Sequence, residues 1–149
     1  MNLKTDSSIA EVYGFEQRNK IVRPLFLCGI SAGFPSPADD YIDRSLDLNE
    51  LLIKNPAATF FVRVAGESMT GVGIHDGDIL VVDRAVEPAS GKIVVAAVNG
   101  ELTVKRLLRN RGSCRLVAEN PAYPQMEISA ESQFEVWGVV TSVIHQFEK

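Results

Sequence analysis

The strongest structural signal in the chain lies in residues 93–108, which read IVVAAVNGELTVKRLL. Two runs rich in β-branched residues flank the pair Asn99-Gly100. Both central residues of a type I′ turn need positive φ angles, which asparagine and glycine adopt at low cost. The pattern therefore predicts a tight antiparallel hairpin in which the strand after the turn carries Lys105.

Short apolar runs of the same kind recur on both sides of this hairpin, with turn residues between them. The predicted strands are Phe60–Val64, Ile79–Val82, Ile93–Val98, Leu102–Leu108, Arg115–Val117 and Phe134–Ile144. One short helix is predicted from Asp47 to Ile53, because Asp47 and Glu50 have the spacing of a capping box. The sequence does not alternate strands with long helices, so the expected fold class is a compact, mostly antiparallel β domain.

The first 32 residues show neither sustained helical periodicity nor strand alternation, and they are interpreted as an N-terminal arm. The arm is followed by the string Gly33-Phe34-Pro35-Ser36-Pro37. Each proline fixes its own φ and disfavours the α region for the residue before it, so this string is extended. The expected organisation is an arm over residues 1–32 and a β domain over 33–149, in which 33–44 remain extended.

The composition excludes several classes of function. A chain of 149 residues with a net charge of -4 lacks the basic footprint of a nucleic-acid binder. The basic stretch from Lys105 to Arg115 is interpreted as solvated faces of two strands. Two histidines and the distant Cys28 and Cys114 do not make a zinc site, and no cofactor is expected. No apolar run approaches the roughly 20 residues needed to span a bilayer, so we expect a cytoplasmic protein.

Two segments carry candidate chemistry. Ser68 follows the strand Phe60–Val64 beside Gly66, where backbone N–H groups can converge on a developing oxyanion. Strand alternation puts Lys105 on the same face as Leu107, where its ammonium is poorly solvated. Desolvation lowers the pKa of a lysine, and a neutral amine can take the proton of a serine hydroxyl.

Two alternatives to this pairing remain open. Lys105 could reach water at a sheet edge, as single strand lysines usually do. A Ser-His-Asp triad can also be assembled from Ser68, His75 and either Asp76 or Asp78. Because His75 lies in the turn sequence Gly73-Ile74-His75-Asp76-Gly77, it is interpreted as a surface turn residue.

Three motifs in this order resemble the catalytic domain of LexA-type repressors and UmuD proteins: Gly66–Met69 (GESM), Gly73–Asp78 (GIHDGD) and Val104–Arg106 (VKR). The resemblance covers about residues 33–143. It implies a mostly β, dimeric domain that cleaves its own backbone, with Ser68 as nucleophile and Lys105 as general base. It also implies an oxyanion hole made by the backbone N–H of Ser68 together with that of Glu67.

In this family the cleaved bond joins Ala or Cys to Gly, and two bonds here fit: Ala32–Gly33 and Cys28–Gly29. UmuD proteins carry Gly-Phe-Pro-Ser-Pro immediately after the cut, and here that string starts at Gly33. The resemblance therefore favours Ala32–Gly33 as the cleavage site, with Cys28–Gly29 as the second choice.

The resemblance to the UmuD branch implies a bacterial SOS-response factor. Its cleavage would be stimulated by RecA filaments on single-stranded DNA, and the shortened homodimer would serve an UmuC-like translesion DNA polymerase. A LexA-type repressor needs a helix-turn-helix domain, for which the 32 residues before Gly33 lack room. Type I signal peptidases also use a serine and a lysine but are membrane-anchored. The remaining alternative is a non-catalytic β interaction module in which Ser68 and Lys105 are structural.

Overall fold

A computed structural model describes residues 4–5, 8–16, 22–26 and 42–149 of the chain. The strands of these residues are β1 Lys4–Thr5, β2 Ile9–Gly14, β3 Val22–Phe26, β4 Ile42–Asp47, β5 Thr59–Val64, β6 Ile79–Asp83, β7 Ile93–Val98, β8 Glu101–Asn110, β9 Ser113–Val117, β10 Met126–Ile128 and β11 Phe134–Ile144. The helix α1 spans Leu48–Leu52, and short 3-10 helices span Pro56–Ala58 and Thr70–Val72.

The chain divides into two compact units, one made of Met1–Phe15 with Asn55–Lys149 and the other of Glu16–Lys54. The described strands of the first unit form one nine-stranded sheet in the order β10-β9-β8-β7-β11-β6-β5-β2, with β1 beside β8. The β1–β8 pair is parallel, and the other described pairs are antiparallel. The predicted fold class, a mostly antiparallel β domain, is confirmed.

The predicted Asn-Gly hairpin is present as β7 and β8. Val98 pairs with Glu101, which leaves Asn99 and Gly100 as the two turn residues. Their φ angles are 49° and 85°, as a type I′ turn requires. Each strand predicted from Phe60 onward is present with its ends shifted by at most two residues.

The sheet curls, so that strands distant in its order share one hydrophobic core. Val62 and Val64 of β5 lie in the same buried cluster as Leu102 and Val104 of β8. Met69, just beyond β5, belongs to this cluster and is 1% exposed. This shared core brings the end of β5 close to the middle of β8.

The N-terminal segment differs from the prediction, because the sequence predicts no strand before Phe60. β2 pairs antiparallel with β5, from Ile9 opposite Val64 to Gly14 opposite Phe60. Only Ile9 of β2 is buried, and the remaining residues of the strand are exposed. An edge strand with one buried residue shows no alternation of apolar and polar positions, so the sequence gives no periodic signal for it.

The second unit contains the hairpin β3–β4, in which Phe26 pairs with Ile42. Its connection, residues 27–41, contains both predicted cleavage bonds, Ala32–Gly33 and Cys28–Gly29. Those bonds and the string from Gly33 to Pro37 lie outside the described residues.

The predicted short helix is confirmed as α1. The Asp47 carboxylate caps it by accepting the N–H of Asn49 at 2.9 Å. Leu48 and Leu51, which supply its apolar face, are exposed. None of the described helices is long and apolar enough to cross a membrane.

Candidate active site

The chain leaves β5 through a tight turn, here called the Ser68 turn (Gly66–Gly73). The φ angles of Gly66 and Gly73 are 80° and 81°, a region that residues with a Cβ rarely adopt. The N–H of Gly66 donates to Asp76 Oδ1 at 2.8 Å. Ser68 itself is 6% exposed. The turn thus holds a buried serine between two glycine-dependent bends.

Two backbone N–H groups of the Ser68 turn, those of Glu67 and Ser68, have no hydrogen-bond acceptor among the described residues. The carbonyl oxygen of Glu67, by contrast, accepts three donors. Unused donors beside a serine hydroxyl are what an oxyanion hole needs.

Lys105 lies in the middle of β8, opposite Val94 of β7, and the pairing of β8 with β9 begins at the next residue, Arg106. The residue is 8% exposed, so its side chain does not extend into water. Its Nζ donates to Thr103 Oγ1 at 2.8 Å, which shows that the two side chains share a face of β8 as alternation predicts. Burial disfavours a charged ammonium relative to the neutral amine.

Ser8 connects the Ser68 turn to the strand of Lys105. Its carbonyl oxygen accepts the N–H of Ala65 at 2.9 Å, at the point where β5 enters the turn. Its Oγ accepts the N–H of Val104 at 3.1 Å. Ser8 is 2% exposed, so both bonds are shielded from water. One residue of the N-terminal segment therefore touches both elements that carry the predicted pair.

Glu119 provides a second connection. Its carbonyl oxygen accepts the N–H of Gly71 at 2.7 Å, inside the Ser68 turn. Its carboxylate forms an ion pair with the guanidinium of Arg106, the neighbour of Lys105 on β8. The Ser68 turn and β8 are thus connected twice. Ser8 connects them at Val104 and Glu119 connects them at Arg106, one residue on each side of Lys105.

The alternative triad is not assembled. The His75 ring is exposed and contacts the ring of His145, with 5.8 Å between their centroids. The buried carboxylate of Asp78 binds the N–H of His75 and the His145 side chain. Asp76, the other candidate acid of the triad, accepts the N–H of Gly66. The interpretation of His75 as a surface turn residue is confirmed.

A groove of about 400 Å³ borders the Ser68 turn and is lined by Gly71, Asn120 and Tyr123 among others. Within the described ranges no cluster of three His, Cys, Asp or Glu side chains could hold a metal ion. In the basic stretch, Arg109 at the end of β8 and Arg111 in the β8–β9 turn are exposed, but Lys105 is buried, so the interpretation as solvated strand faces is wrong for Lys105.

Three residues around the predicted pair are absent from the sequence-based expectations as site residues: Ser8, Thr103 and Asn120. Thr103 is predictable as a neighbour of Lys105 from strand alternation alone. Ser8 and Asn120 are not, because their contacts join segments 53 or more residues apart. An asparagine before a proline indicates only a turn.

Comparison with known proteins gives consistent matches over most of the chain. The profile of the peptidase S24-like family matches residues 24–141. Protein ImpA of Salmonella typhimurium is 50% identical over 126 residues, which cover 84% of this chain and 85% of that protein. Protein MucA of Escherichia coli is 48% identical over 119 residues, 79% of this chain and 81% of MucA.

A LexA repressor, from Cupriavidus taiwanensis, is 34% identical over 142 residues, which cover 95% of this chain and 65% of the repressor. The expected resemblance to LexA and UmuD proteins is confirmed. The family match covers both predicted motif regions, the Ser68 turn and β8, on a fold that agrees with it. This chain belongs to the peptidase S24-like family, the serine peptidases of the LexA and UmuD type.

Proposed function

We propose that this protein is a self-cleaving serine peptidase in which Ser68 is the nucleophile and Lys105 the general base. The observation that carries the proposal is the burial of Lys105. It is 8% exposed, and its Nζ donates to the hydroxyl of Thr103 at 2.8 Å. Burial disfavours the charged form of an amine, and the neutral form can accept a proton from a serine hydroxyl.

The reaction follows from these groups. Lys105 Nζ takes the proton of Ser68 Oγ, which attacks the carbonyl carbon of Ala32. The N–H groups of Ser68 and Glu67 stabilise the oxyanion that forms. The bond to Gly33 then breaks, and the Lys105 ammonium returns its proton to the departing amine. Water, deprotonated by the same lysine, hydrolyses the acyl-serine and releases the two fragments.

The proposed cleavage bond is Ala32–Gly33, and Cys28–Gly29 is the alternative. The hairpin β3–β4 supports a cut in this region, because its paired ends at Phe26 and Ile42 bound the connection that contains both bonds. In this proposal residues 1–32 are an arm that leaves after cleavage, and residues 33–149 form the processed protein.

The relatives extend the proposal to a cellular role. Their similarity to this chain supports a part in SOS mutagenesis. There, RecA filaments on single-stranded DNA would stimulate cleavage, and the processed homodimer would act with an UmuC-like translesion polymerase. Incubation with RecA, single-stranded DNA and nucleotide should accelerate cleavage of the purified chain, and unchanged rates would count against this regulation.

The peptidase proposal is tested by incubating the purified protein across a pH series and following it by mass spectrometry. Cleavage should accelerate as pH rises, because only the deprotonated amine accepts a proton. Ser68→Ala and Lys105→Ala should abolish it. The fragment masses distinguish a cut after Ala32 from a cut after Cys28.

The matched control is Lys92→Ala, since Lys92 is an exposed lysine whose Nζ donates to the carbonyl of Glu87. This variant should cleave like the wild type. Cleavage that is independent of pH, or that survives in both Ser68→Ala and Lys105→Ala, would favour the non-catalytic β module.

A further inference from the structure

The side chain of Asn120 holds the Glu67–Ser68 peptide group through a hydrogen bond. Its Nδ2 donates to the carbonyl oxygen of Glu67 at 2.9 Å, across 53 residues of sequence. The other two donors to this oxygen come from Thr70, whose N–H and Oγ1 lie at 3.4 and 3.3 Å. The Asn120 contact is thus the shortest of the three and the one that comes from outside the Ser68 turn.

The orientation of the Asn120 amide is fixed by a second contact. Its Oδ1 accepts the N–H of Ala122 at 3.0 Å. Rotating the amide by 180° would point its NH₂ at the N–H of Ala122 and its oxygen at the carbonyl of Glu67. Both pairs would then be repulsive, so the network assigns the donor to Glu67.

This contact has a consequence for the N–H of Ser68. A trans peptide is planar, and its N–H points opposite to its C=O. No described peptide bond is cis, so a donor that holds the Glu67 carbonyl also fixes the direction of the Ser68 N–H on the far side. That N–H is the main oxyanion donor in the proposed mechanism.

We propose that Asn120 is a positioning residue for the oxyanion hole, acting through the Glu67–Ser68 peptide; this inference rests on the proposed function. Asn120 lies in the connection between β9 and β10 and belongs to neither buried core cluster. Losing its amide donor therefore leaves the core intact and changes the alignment of the peptide group. Transition-state stabilisation is what such a misalignment reduces.

The test uses Asn120→Asp, which keeps the shape of the side chain and the acceptor for Ala122 but replaces the donor with an oxygen. A carboxylate facing the Glu67 carbonyl repels it. Self-cleavage should slow by about 10- to 100-fold, somewhat less than the loss of an oxyanion donor itself. The loss should persist at high pH, where Lys105 is deprotonated in both proteins, because it comes from the alignment of the peptide and not from the protonation of the base.

A second readout separates catalysis from folding of the turn. In a Ser68→Cys background, iodoacetamide alkylates the thiolate: the sulfur displaces iodide, and no oxyanion forms. Adding Asn120→Asp to this background should leave the alkylation rate within about twofold, since the nucleophile and Lys105 are untouched. Asn110→Asp, at the exposed end of β8, is the matched control for the added charge and should change neither rate.

The outcomes are distinct. Equal cleavage by the wild type and Asn120→Asp overturns the positioning role and leaves the peptidase proposal standing. A parallel loss of cleavage and alkylation shows a merely structural role and also overturns it. Absence of cleavage in the wild type overturns the proposed function, and the inference with it.

Discussion

Ser68 and Lys105 are held by two different kinds of structure. Ser68 sits in a turn whose backbone is fixed by separate hydrogen bonds from distant segments, those of Asp76 and Asn120 among them. Lys105 sits inside a ten-residue strand, where it pairs with Val94 of β7 one residue before the pairing with β9 begins. A turn held by single contacts can be displaced by one substitution. A residue whose place is set by strand register keeps its position when its side chain is substituted. A substitution of Lys105 should therefore affect the chemistry more than the backbone.

The largest expected effect is at Lys105. Lys105→Met keeps the length and apolar stem of the side chain but removes the proton acceptor. Cleavage should fall by at least about 1000-fold. The free energy of unfolding should not fall by more than about 1 kcal/mol, because a buried ionisable group is replaced by an apolar one. Mass spectrometry measures the first quantity and urea denaturation the second.

Lys92→Met is the control for this variant, and it should leave both quantities unchanged. If Lys105→Met cleaved at the wild-type rate, Lys105 would not be the base. If it lost several kcal/mol of stability, the strand would depend on the amine for its position, and the contrast with the turn would disappear.

A smaller effect on rate, with a larger effect on stability, is expected at Gly71. A Cβ on this residue would lie 2.6 Å from the carbonyl oxygen of Glu119, which accepts the N–H of Gly71. Gly71→Ala must therefore separate the Ser68 turn from Glu119. We expect a loss of about 1–3 kcal/mol in the free energy of unfolding and slower cleavage by about tenfold.

Gly14→Ala is the matched control, because no atom lies within 4 Å of its Cβ position. It should change stability by less than about 0.5 kcal/mol. A Gly71→Ala protein as stable and as active as Gly14→Ala would show that the Ser68 turn tolerates displacement.

The same contrast explains how much the sequence could predict. β8 and its hairpin are encoded locally, by alternation and by Asn99-Gly100, so the strand and the shared face of Lys105 and Thr103 follow from neighbouring residues. The burial of Lys105 does not follow from them, because a lysine that reaches water at a sheet edge has the same local pattern. The Ser68 turn is recognisable from Gly66 and Ser68, but the hydrogen bonds that hold it come from Glu119 and Asn120. Those contacts depend on how the sheet curls, which no local pattern encodes.

The strand β2 of the N-terminal segment could not be predicted from the sequence for a related reason. β2 adds to the edge of β5 with one buried residue, Ile9, and its remaining positions are exposed. Main-chain pairing stabilises such a strand without needing a particular side-chain pattern. Ser8 precedes it and carries no motif, yet it contacts both elements of the candidate site.

A substitution of Ser8 tests whether the position of Lys105 on β8 depends on the hydrogen bonds that connect β8 to the Ser68 turn. Ser8→Ala keeps the carbonyl that binds Ala65 but removes the Oγ that accepts the buried N–H of Val104. The unfolding free energy should fall by about 1–2 kcal/mol, because that N–H loses its acceptor. Cleavage of the full-length chain should slow only a few-fold, since the register of β8 still holds Lys105.

Ser113→Ala, at an exposed position of β9, is the control and should be neutral in both measurements. A loss of cleavage in Ser8→Ala as large as that of Lys105→Met would mean that the strand alone does not hold the amine. The N-terminal segment would then be part of the catalytic apparatus that it is proposed to leave after cleavage. A change in stability without any change in rate would instead confine Ser8 to joining β5 and β8, and the register of β8 would suffice to position the base.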